Sequence, residues 1–188
     1  LQLRVDEINE QGGIHGRKLR LIAEDHGYDP KRAVLAAQKL VSQDKVFLIA
    51  SHIGTPQNNA AMPVQFEKGV INWMPLSAGR EMYDPVHKLK FANVASYYET
   101  MKMNAPQLYK EKGAKKACAL YQDDDYGLEV VRGAEAGLEA IGVKMAEKTT
   151  YKRGATDFSS QVARMKAADC DFVVLGTIIR ETIGTIGE

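Results

Sequence analysis

A short polar loop, Ser51 to Asn59, contains the residues best suited to bind a ligand. It follows the apolar run 45–50, a predicted strand, and leads into a predicted helix. The unpaired N–H groups of a first helical turn, the positive end of the helix dipole and a hydroxyl together favour an anion. Thr55 supplies the hydroxyl and is predicted to cap the helix, and Pro56 lies where a missing N–H costs nothing. The alternative is that Thr55 and Pro56 form a helix cap and nothing more.

Three acidic residues and a tyrosine follow another predicted strand. Asp123, Asp124 and Asp125 form the sharpest charged cluster of the chain, of the kind that holds Mg²⁺ in phospho-receiver domains. We favour a solvated loop whose Asp125 helps to start the next helix, because a receiver domain spreads its acids over two strand ends. Tyr126 offers an apolar ring and one hydroxyl at the mouth between strand and helix. It either faces a ligand or packs within its own domain.

No set of catalytic residues emerges from the sequence. The four histidines, His15, His26, His52 and His87, lie in turns or loops, and none is at metal-ligand spacing from another histidine or a cysteine. Glycine-rich phosphate-binding motifs are also missing. We therefore predict no catalytic residue, no metal and no cofactor, in a protein that is not an enzyme.

Composition excludes several classes of protein. The chain has 188 residues with a hydrophobic fraction of 45%, which suits one domain or two small lobes. Its 25 Lys and Arg nearly balance its 24 Asp and Glu, which argues against a nucleic-acid partner. No apolar stretch reaches membrane-spanning length and no signal peptide is visible, but an α/β chain that begins in mid-helix indicates truncation. Cys118 and Cys170 are predicted to be small core residues, which leaves the redox compartment open.

Helical and strand patterns alternate along the chain, which predicts parallel sheets with crossover helices. We predict an α/β fold of two Rossmann-like, doubly wound lobes, 1–93 and 94–188, truncated at both ends, with the first strand of the first lobe missing. The predicted strands are 17–25, 45–50, 70–74, 117–121, 143–150 and 172–175. The predicted helices include the opening segment and 29–41, 57–68, 96–112, 127–140 and 157–167.

Sheets of this kind bind ligands outside the carboxyl ends of their strands. The loops at those ends are 51–55, 75–79, 122–126 and 176–179. If the two lobes face each other, all four loops line one cleft.

The residues also resemble a known family. The segment Ile8 to Lys18 resembles the opening helix, turn and second strand of type I periplasmic solute-binding proteins of the branched-chain amino-acid (Leu/Ile/Val-binding) family. Similar segments fall at Glu24-Asp25, Asp29-Pro30, Asp124 to Gly127 and Gly154 to Ser159. The resemblance covers essentially the whole chain. It implies the periplasmic binding protein type I fold, in which two lobes joined by a hinge close on a small ligand that a membrane permease then takes up.

The resemblance further implies which residues bind the ligand. Thr55 falls where the family offers a hydroxyl and an N–H to the ligand carboxylate. Leu76, Ser77 and Ala78 fall where it offers backbone groups and often one more hydroxyl. Tyr126 falls where a ring of the second lobe packs on the ligand.

Two residues depart from the amino-acid-binding pattern. Ala78 stands where a Thr is common, and Ile178 stands where a second cleft Tyr is common, which makes the pocket more aliphatic. The resemblance implies that the acidic residue that pairs with a ligand ammonium lies beyond Glu188, which leaves open whether the ligand has an amino group. The segments 54–58 and 96–99 are similar to a branch of the family associated with aromatic and other organic acids. Tyr97 and Tyr98, within the second of these segments, either reach the cleft or pack at the hinge.

The leading hypothesis is the periplasmic or lipid-anchored, extracytoplasmic solute-binding component of an ABC uptake transporter. We expect a monomer that binds a small carboxylate, either a branched-chain or other amino acid or an aromatic or organic acid, and delivers it to a permease. The alternative is a cytoplasmic ligand sensor that keeps this fold within a regulator. A phosphorylatable or metal-using enzyme built on Asp124 is the third hypothesis.

Overall fold

The computed structural model describes residues 1–188 and contains two separate parallel sheets. The first consists of β1 (Leu48–Ala50), β2 (Ile71–Trp73) and β3 (Lys90–Phe91), in that order. The second consists of β4 (Ala117–Gln122), β5 (Glu147–Tyr151) and β6 (Phe172–Gly176), in the order β5-β4-β6. Every pairing is parallel. The predicted α/β class with two parallel-sheet lobes is confirmed, and the lobe boundary at residue 93 stays a prediction.

Seven α-helices connect and flank the strands. They are α1 (Gln2–Glu10), α2 (Pro30–Ser42), α3 (Thr55–Glu67), α4 (Tyr97–Glu111), α5 (Asp125–Glu139), α6 (Ser159–Ala167) and α7 (Ile179–Gly187), with a 3-10 turn at Arg80–Met82. At the start of α2 the Asp29 carboxylate accepts a hydrogen bond from the Arg32 N–H at 2.9 Å. At the start of α4 the Ser96 hydroxyl accepts one from the Glu99 N–H at 3.1 Å. Both caps are local sequence signals. No helix of this chain combines the length and the hydropathy of a membrane span.

The central strand β4 shows why the second lobe is doubly wound. Ala117 and Ala119 pack with Val130 and other residues of α4 and α5. Cys118 and Leu120 point to the opposite face and pack with residues of α6. All four strand residues are fully buried, because alternate side chains of a strand point to opposite faces and both faces are covered by helices.

The predicted strand from Arg17 to Asp25 is wrong. The segment forms no sheet ladder, and Arg17 makes only an isolated bridge with Ile14. Residues 18–24 and 44–53, the second range including the edge strand β1, line one groove of about 820 Å³. The residue types favour a strand, but a strand exists only where its backbone groups find a partner.

The two cysteines are not separate core residues, as the sequence predicted, but form a disulfide. Their Cα atoms are 5.9 Å apart, within the range that a disulfide spans. Cys118 lies in β4 opposite Val173 of β6, and Cys170 lies just before β6. The pairing of β4 with β6 therefore brings together two residues that are 52 positions apart in the chain.

Candidate functional site

The loops after β1 and β2 lie side by side at the carboxyl end of the first sheet. The Gly54 N–H donates to the Leu76 carbonyl at 3.2 Å, and the Leu76 N–H donates to the His52 carbonyl at 2.9 Å. These bonds bring Thr55 next to Ser77, and the two hydroxyl oxygens are 2.8 Å apart. Both side chains are almost fully buried.

Contrary to the prediction, Thr55 does not cap α3. Gly54 holds the N-cap position with φ of +95°, and Thr55 is the first helical residue. A Cβ at Gly54 would lie 2.0 Å from the Gln57 side chain and 2.9 Å from the ring of Tyr28, so the turn requires glycine. The Thr55 hydroxyl is thereby free to contact Ser77. The N–H groups of Thr55 and Gln57 donate to no backbone or side-chain acceptor.

This corner of the first lobe favours an anion. Two free N–H groups and the positive end of the α3 dipole meet the paired hydroxyls of Thr55 and Ser77. The Ser77 hydroxyl also accepts a hydrogen bond from the Gly79 N–H at 3.2 Å, which orients it. Pro56, at the second helical position, has no N–H to leave unpaired.

Tyr126 joins the two strand-end loops of the second lobe. Asp124 caps α5, and its carboxylate accepts hydrogen bonds from the N–H groups of Tyr126 at 3.1 Å and Gly127 at 3.3 Å. The Tyr126 hydroxyl donates to the Thr177 carbonyl at 3.0 Å, in the loop that follows β6. Burial raises the pKa of the Tyr126 phenol above its ordinary value, so it remains a donor.

Tyr97 connects the two halves of the site. Its N–H donates to the Ala78 carbonyl at 2.8 Å, which ties it to the first lobe. Its ring packs edge-on against the ring of Tyr126, with centroids 5.1 Å apart. Tyr98 lies elsewhere, with its ring centroid 5.0 Å from the Arg80 guanidinium. Of the two neighbouring tyrosines, Tyr97 is therefore the one at the candidate site.

The other predicted residues lie around this centre. The Leu76 side chain is 58% exposed, and its backbone makes the contacts that align the loops. Ala78 is half-buried and contributes its carbonyl to Tyr97. Ile178 is half-buried next to Thr177, and its carbonyl accepts a hydrogen bond from the Thr182 hydroxyl at 3.0 Å. The structure thus brings Thr55, Leu76, Ser77 and Ala78 together in the first lobe, and Tyr126 and Ile178 together in the second.

The three aspartates 123–125 form ion pairs and hydrogen bonds with neighbouring residues. Asp123 forms an ion pair with Lys152, and Asp125 accepts a hydrogen bond at 2.9 Å from Asn59 of the first lobe. Asp124 caps α5, so the helix-starting role predicted for Asp125 belongs to its neighbour. No group of three or more histidine, cysteine, aspartate or glutamate side chains is arranged to hold a metal ion.

The sequence did not predict two residues of the site, Tyr28 and Arg153. The Tyr28 ring lies against Gly54, and the Arg153 guanidinium lies 5.0 Å from the centroid of that ring. One signal was available for Tyr28, because it follows a predicted strand as Tyr126 does. Nothing local marked Arg153, which lies in a turn of the second lobe.

The groove beside β1 is distinct from the contact between the lobes. Among the six predicted site residues, only Leu76 lines it. His26 and His52 both line the groove, with ring centroids 5.1 Å apart. Burial, reinforced by the neighbouring His26, lowers the pKa of His52 to about 4. His52 is therefore neutral in the folded protein at pH 7.

The free energy of unfolding is expected to decrease as the pH is lowered from about 6.5 to 4, because of His52. In this window the unfolded chain protonates this histidine and the folded protein does not, so acid favours unfolding, by up to about 3 kcal/mol. Urea unfolding at several pH values measures the slope, which His52→Gln should flatten. His15→Asn is the control, because Asn tolerates the positive φ of that exposed turn. Equal slopes for wild type and His52→Gln would contradict this account.

The fold and the site together define a class of protein. Two parallel-sheet lobes meet with a hydroxyl-lined helix start on one side and tyrosine rings on the other, as in a protein that binds a small ligand between its lobes. The family model described as periplasmic binding protein matches residues 1–188. The chain therefore belongs to the periplasmic binding protein family.

Individual relatives agree with this membership. An amino acid binding protein of Pseudomonas aeruginosa is 28% identical over 171 residues, which cover 91% of this chain and 46% of the relative. The branched-chain amino acid transporter substrate binding protein of Streptococcus pneumoniae, solved in complex with isoleucine, has a TM-score of 0.76 and 25% identity, and the match covers 93% of this chain and 49% of that one.

A structure with lower sequence identity shows the same fold. The solute binding protein of an ABC transporter from R. palustris, solved in complex with 4-hydroxybenzoate, has a TM-score of 0.84 and 21% identity, with 98% of this chain and 51% of that one covered. The chain spans about half the length of the curated relatives that it matches. The family and its structural neighbours are solute-binding proteins and not enzymes, as predicted.

Proposed function

We propose that the chain forms the ligand-binding part of an extracytoplasmic solute-binding protein of an ABC uptake transporter. In this proposal it acts as a monomer, binds a small carboxylate between its lobes and delivers it to a membrane permease. The observation that carries the proposal is the position of the Thr55 and Ser77 hydroxyls, at the start of α3, close to two tyrosines of the second lobe. Tyr97 bonds to the Ala78 carbonyl, next to Ser77, and its ring packs on that of Tyr126.

The first lobe is suited to the carboxylate end of the ligand. Charge-assisted hydrogen bonds from N–H and hydroxyl donors are stronger than neutral ones, and more so where water is excluded. The free N–H groups of Thr55 and Gln57 and the hydroxyls of Thr55 and Ser77 supply such donors in a buried corner. Leu76 and Ala78 support this corner through their backbone.

The second lobe is suited to an apolar ligand body. The Tyr126 ring and the edge-packed Tyr97 ring provide flat apolar surface, and Ile178 adds an aliphatic side chain nearby. Aromatic acids use such surface most fully, so we rank them above branched-chain amino acids.

The disulfide between Cys118 and Cys170 supports an oxidising compartment, such as the periplasm. Structural disulfides are rare in the cytosol, which argues against the cytoplasmic sensor.

Calorimetric titration of the full-length protein tests the function. The probes are 4-hydroxybenzoate, isoleucine and a medium-chain fatty acid, with 4-hydroxybenzamide as an uncharged analogue of the aromatic probe. We expect 4-hydroxybenzoate to bind at least about tenfold more tightly than isoleucine, and no binding of 4-hydroxybenzamide. Absence of binding by every carboxylate would contradict the proposal.

Replacing Thr55 with valine should weaken carboxylate binding by about 1–3 kcal/mol, because one ligand oxygen loses its hydroxyl partner. Thr55→Ser, which keeps the hydroxyl, should bind nearly as well as wild type. Thr149→Val is the matched control, because Thr149 is equally buried but lies within the second sheet. Unchanged affinity of Thr55→Val by calorimetry would remove Thr55 from the site.

A further inference from the structure

Arg153 reaches from the second lobe to the first and contacts it in two ways. Its Nη1 donates a hydrogen bond to the Tyr28 carbonyl at 2.8 Å. Its guanidinium carbon lies 5.0 Å from the centroid of the Tyr28 ring, within the range of a cation–π interaction. The two residues are 125 positions apart in the chain, so the contact exists only when the lobes are together.

The same guanidinium is held within the second lobe by Asp124. Arg153 Nη2 lies 3.0 Å from Asp124 Oδ2, and that carboxylate also caps α5 at the N–H of Tyr126. The Asp124 side chain is 14% exposed, whereas the Arg153 side chain, at 30%, remains accessible to solvent. Arg153 is therefore connected through one carboxylate to the helix start that carries the Tyr126 ring.

Tyr28 has an unusual backbone that its neighbours hold in place. Its φ is +57°, a region that L-residues other than Asn and Asp seldom occupy. Its carbonyl accepts a second hydrogen bond, at 2.7 Å, from the buried side chain of Gln57. Its N–H donates to His26 Nδ1 at 3.0 Å. These contacts set the Tyr28 ring against Gly54, the N-cap residue of α3.

We infer that Arg153 is a positioning residue that couples closure of the lobes to the placement of Tyr28, and that Tyr28 is a specificity-determining wall of the ligand site. The inference rests on the proposed function for the location of the ligand. It adds a third ring, contributed by the first lobe, to Tyr97 and Tyr126. When the lobes separate, Arg153 keeps Asp124 and loses Tyr28, so its bonds to Tyr28 stabilise the closed form alone.

Arginine suits this role for a geometric reason. The planar guanidinium donates along two directions at once and stacks on a ring, whereas the Lys ammonium is a compact point charge. Arg153→Lys should therefore behave like Arg153→Gln and not like wild type. Tyr28→Asn complements these variants, because Asn accepts the positive φ and keeps the carbonyl but removes the ring.

The experiment measures closure and binding separately on the full-length protein. Small-angle X-ray scattering of the ligand-free protein should give a larger radius of gyration for Arg153→Gln and Arg153→Lys than for wild type. Arg164→Gln is the matched control, since Arg164 pairs with Glu147 inside the second lobe and should scatter like wild type. A wild-type radius of gyration for Arg153→Gln would overturn the coupling, whether or not any ligand binds.

Binding kinetics with 4-hydroxybenzoate and isoleucine complete the test. Arg153→Gln should dissociate about tenfold faster than wild type with little change in association rate, because a charge-assisted bond of the closed form is lost. Tyr28→Asn should lose more affinity for 4-hydroxybenzoate than for isoleucine. If Thr55→Val weakens binding while Tyr28→Asn does not, the proposed function stands and the role of Tyr28 fails. If neither of these probes nor the medium-chain fatty acid binds, the proposed function fails, and scattering alone decides the coupling.

Discussion

Replacing Cys118 and Cys170 together with alanine is expected to lower the free energy of unfolding by about 4 kcal/mol. The disulfide closes a loop of 52 positions, and cross-linking such a loop restricts the unfolded chain by roughly this amount. It also fastens β4 to the segment that leads into β6, next to the fully buried centre of the second sheet. Urea unfolding followed by circular dichroism, extrapolated to water, measures the change.

Reduction of the wild-type protein is the matched control for this substitution. Wild type in reductant should lose stability to a similar extent, whereas the double alanine variant should not respond to reductant. Mass spectrometry of the alkylated protein verifies that the bond is present before treatment. If wild type is equally stable with its verified disulfide intact and reduced, the bond contributes nothing to stability. Absence of the bond by mass spectrometry would remove its support for an oxidising compartment.

Replacing Tyr126 with alanine is expected to weaken carboxylate binding by about 2–3 kcal/mol, or roughly 30- to 150-fold in Kd. The substitution removes the ring that packs on Tyr97 and opens the closed site to water. It also removes the hydroxyl that joins the first turn of α5 to the Thr177 carbonyl. Calorimetry with the carboxylate that binds wild type most tightly gives the difference.

Two further variants separate the ring of Tyr126 from its hydroxyl. Tyr126→Phe keeps the packing on Tyr97 and loses only the hydrogen bond, so it should retain most of the affinity. Tyr83→Ala removes a tyrosine that is 39% exposed beyond the 3-10 turn, and it should bind like wild type. Wild-type affinity in a folded Tyr126→Ala variant would show that the second lobe does not cover the ligand at this residue.

The surroundings of Thr55 in the first lobe explain why loss of its hydroxyl is expected to weaken carboxylate binding. Thr55 is buried, and its only hydroxyl partner in the protein is Ser77. In the proposed function this hydroxyl pair donates to the bound carboxylate, and a hydrogen bond to a charged group contributes more than one between neutral groups. In this proposal, aromatic and branched-chain ligands share the carboxylate group. They differ in the part of the molecule that faces Tyr28, Tyr97 and Tyr126.

Local signals in the sequence determined much of the architecture. Alternation of helical and strand patterns predicted two parallel-sheet lobes, and capping residues such as Asp29 and Ser96 marked where helices begin. These signals act over three or four residues, because a cap bonds to its own first turn and a strand alternates from one residue to the next. The resemblance carried by segments such as 8–18 then named the family before any contact was known.

Only the tertiary structure decided which distant groups meet. The segment 17–25 has the composition of a strand but has no ladder, because pairing depends on what lies beside it and not on its own residues. The sequence predicted two separate core cysteines, Cys118 and Cys170. The pairing of β4 with β6 brings them close enough to form a disulfide. Arg153 had no marker at all, because its partner Tyr28 is 125 positions away and in the other lobe. Composition and periodicity are properties of a segment, whereas a disulfide, a sheet edge and a contact between lobes are properties of the whole folded chain.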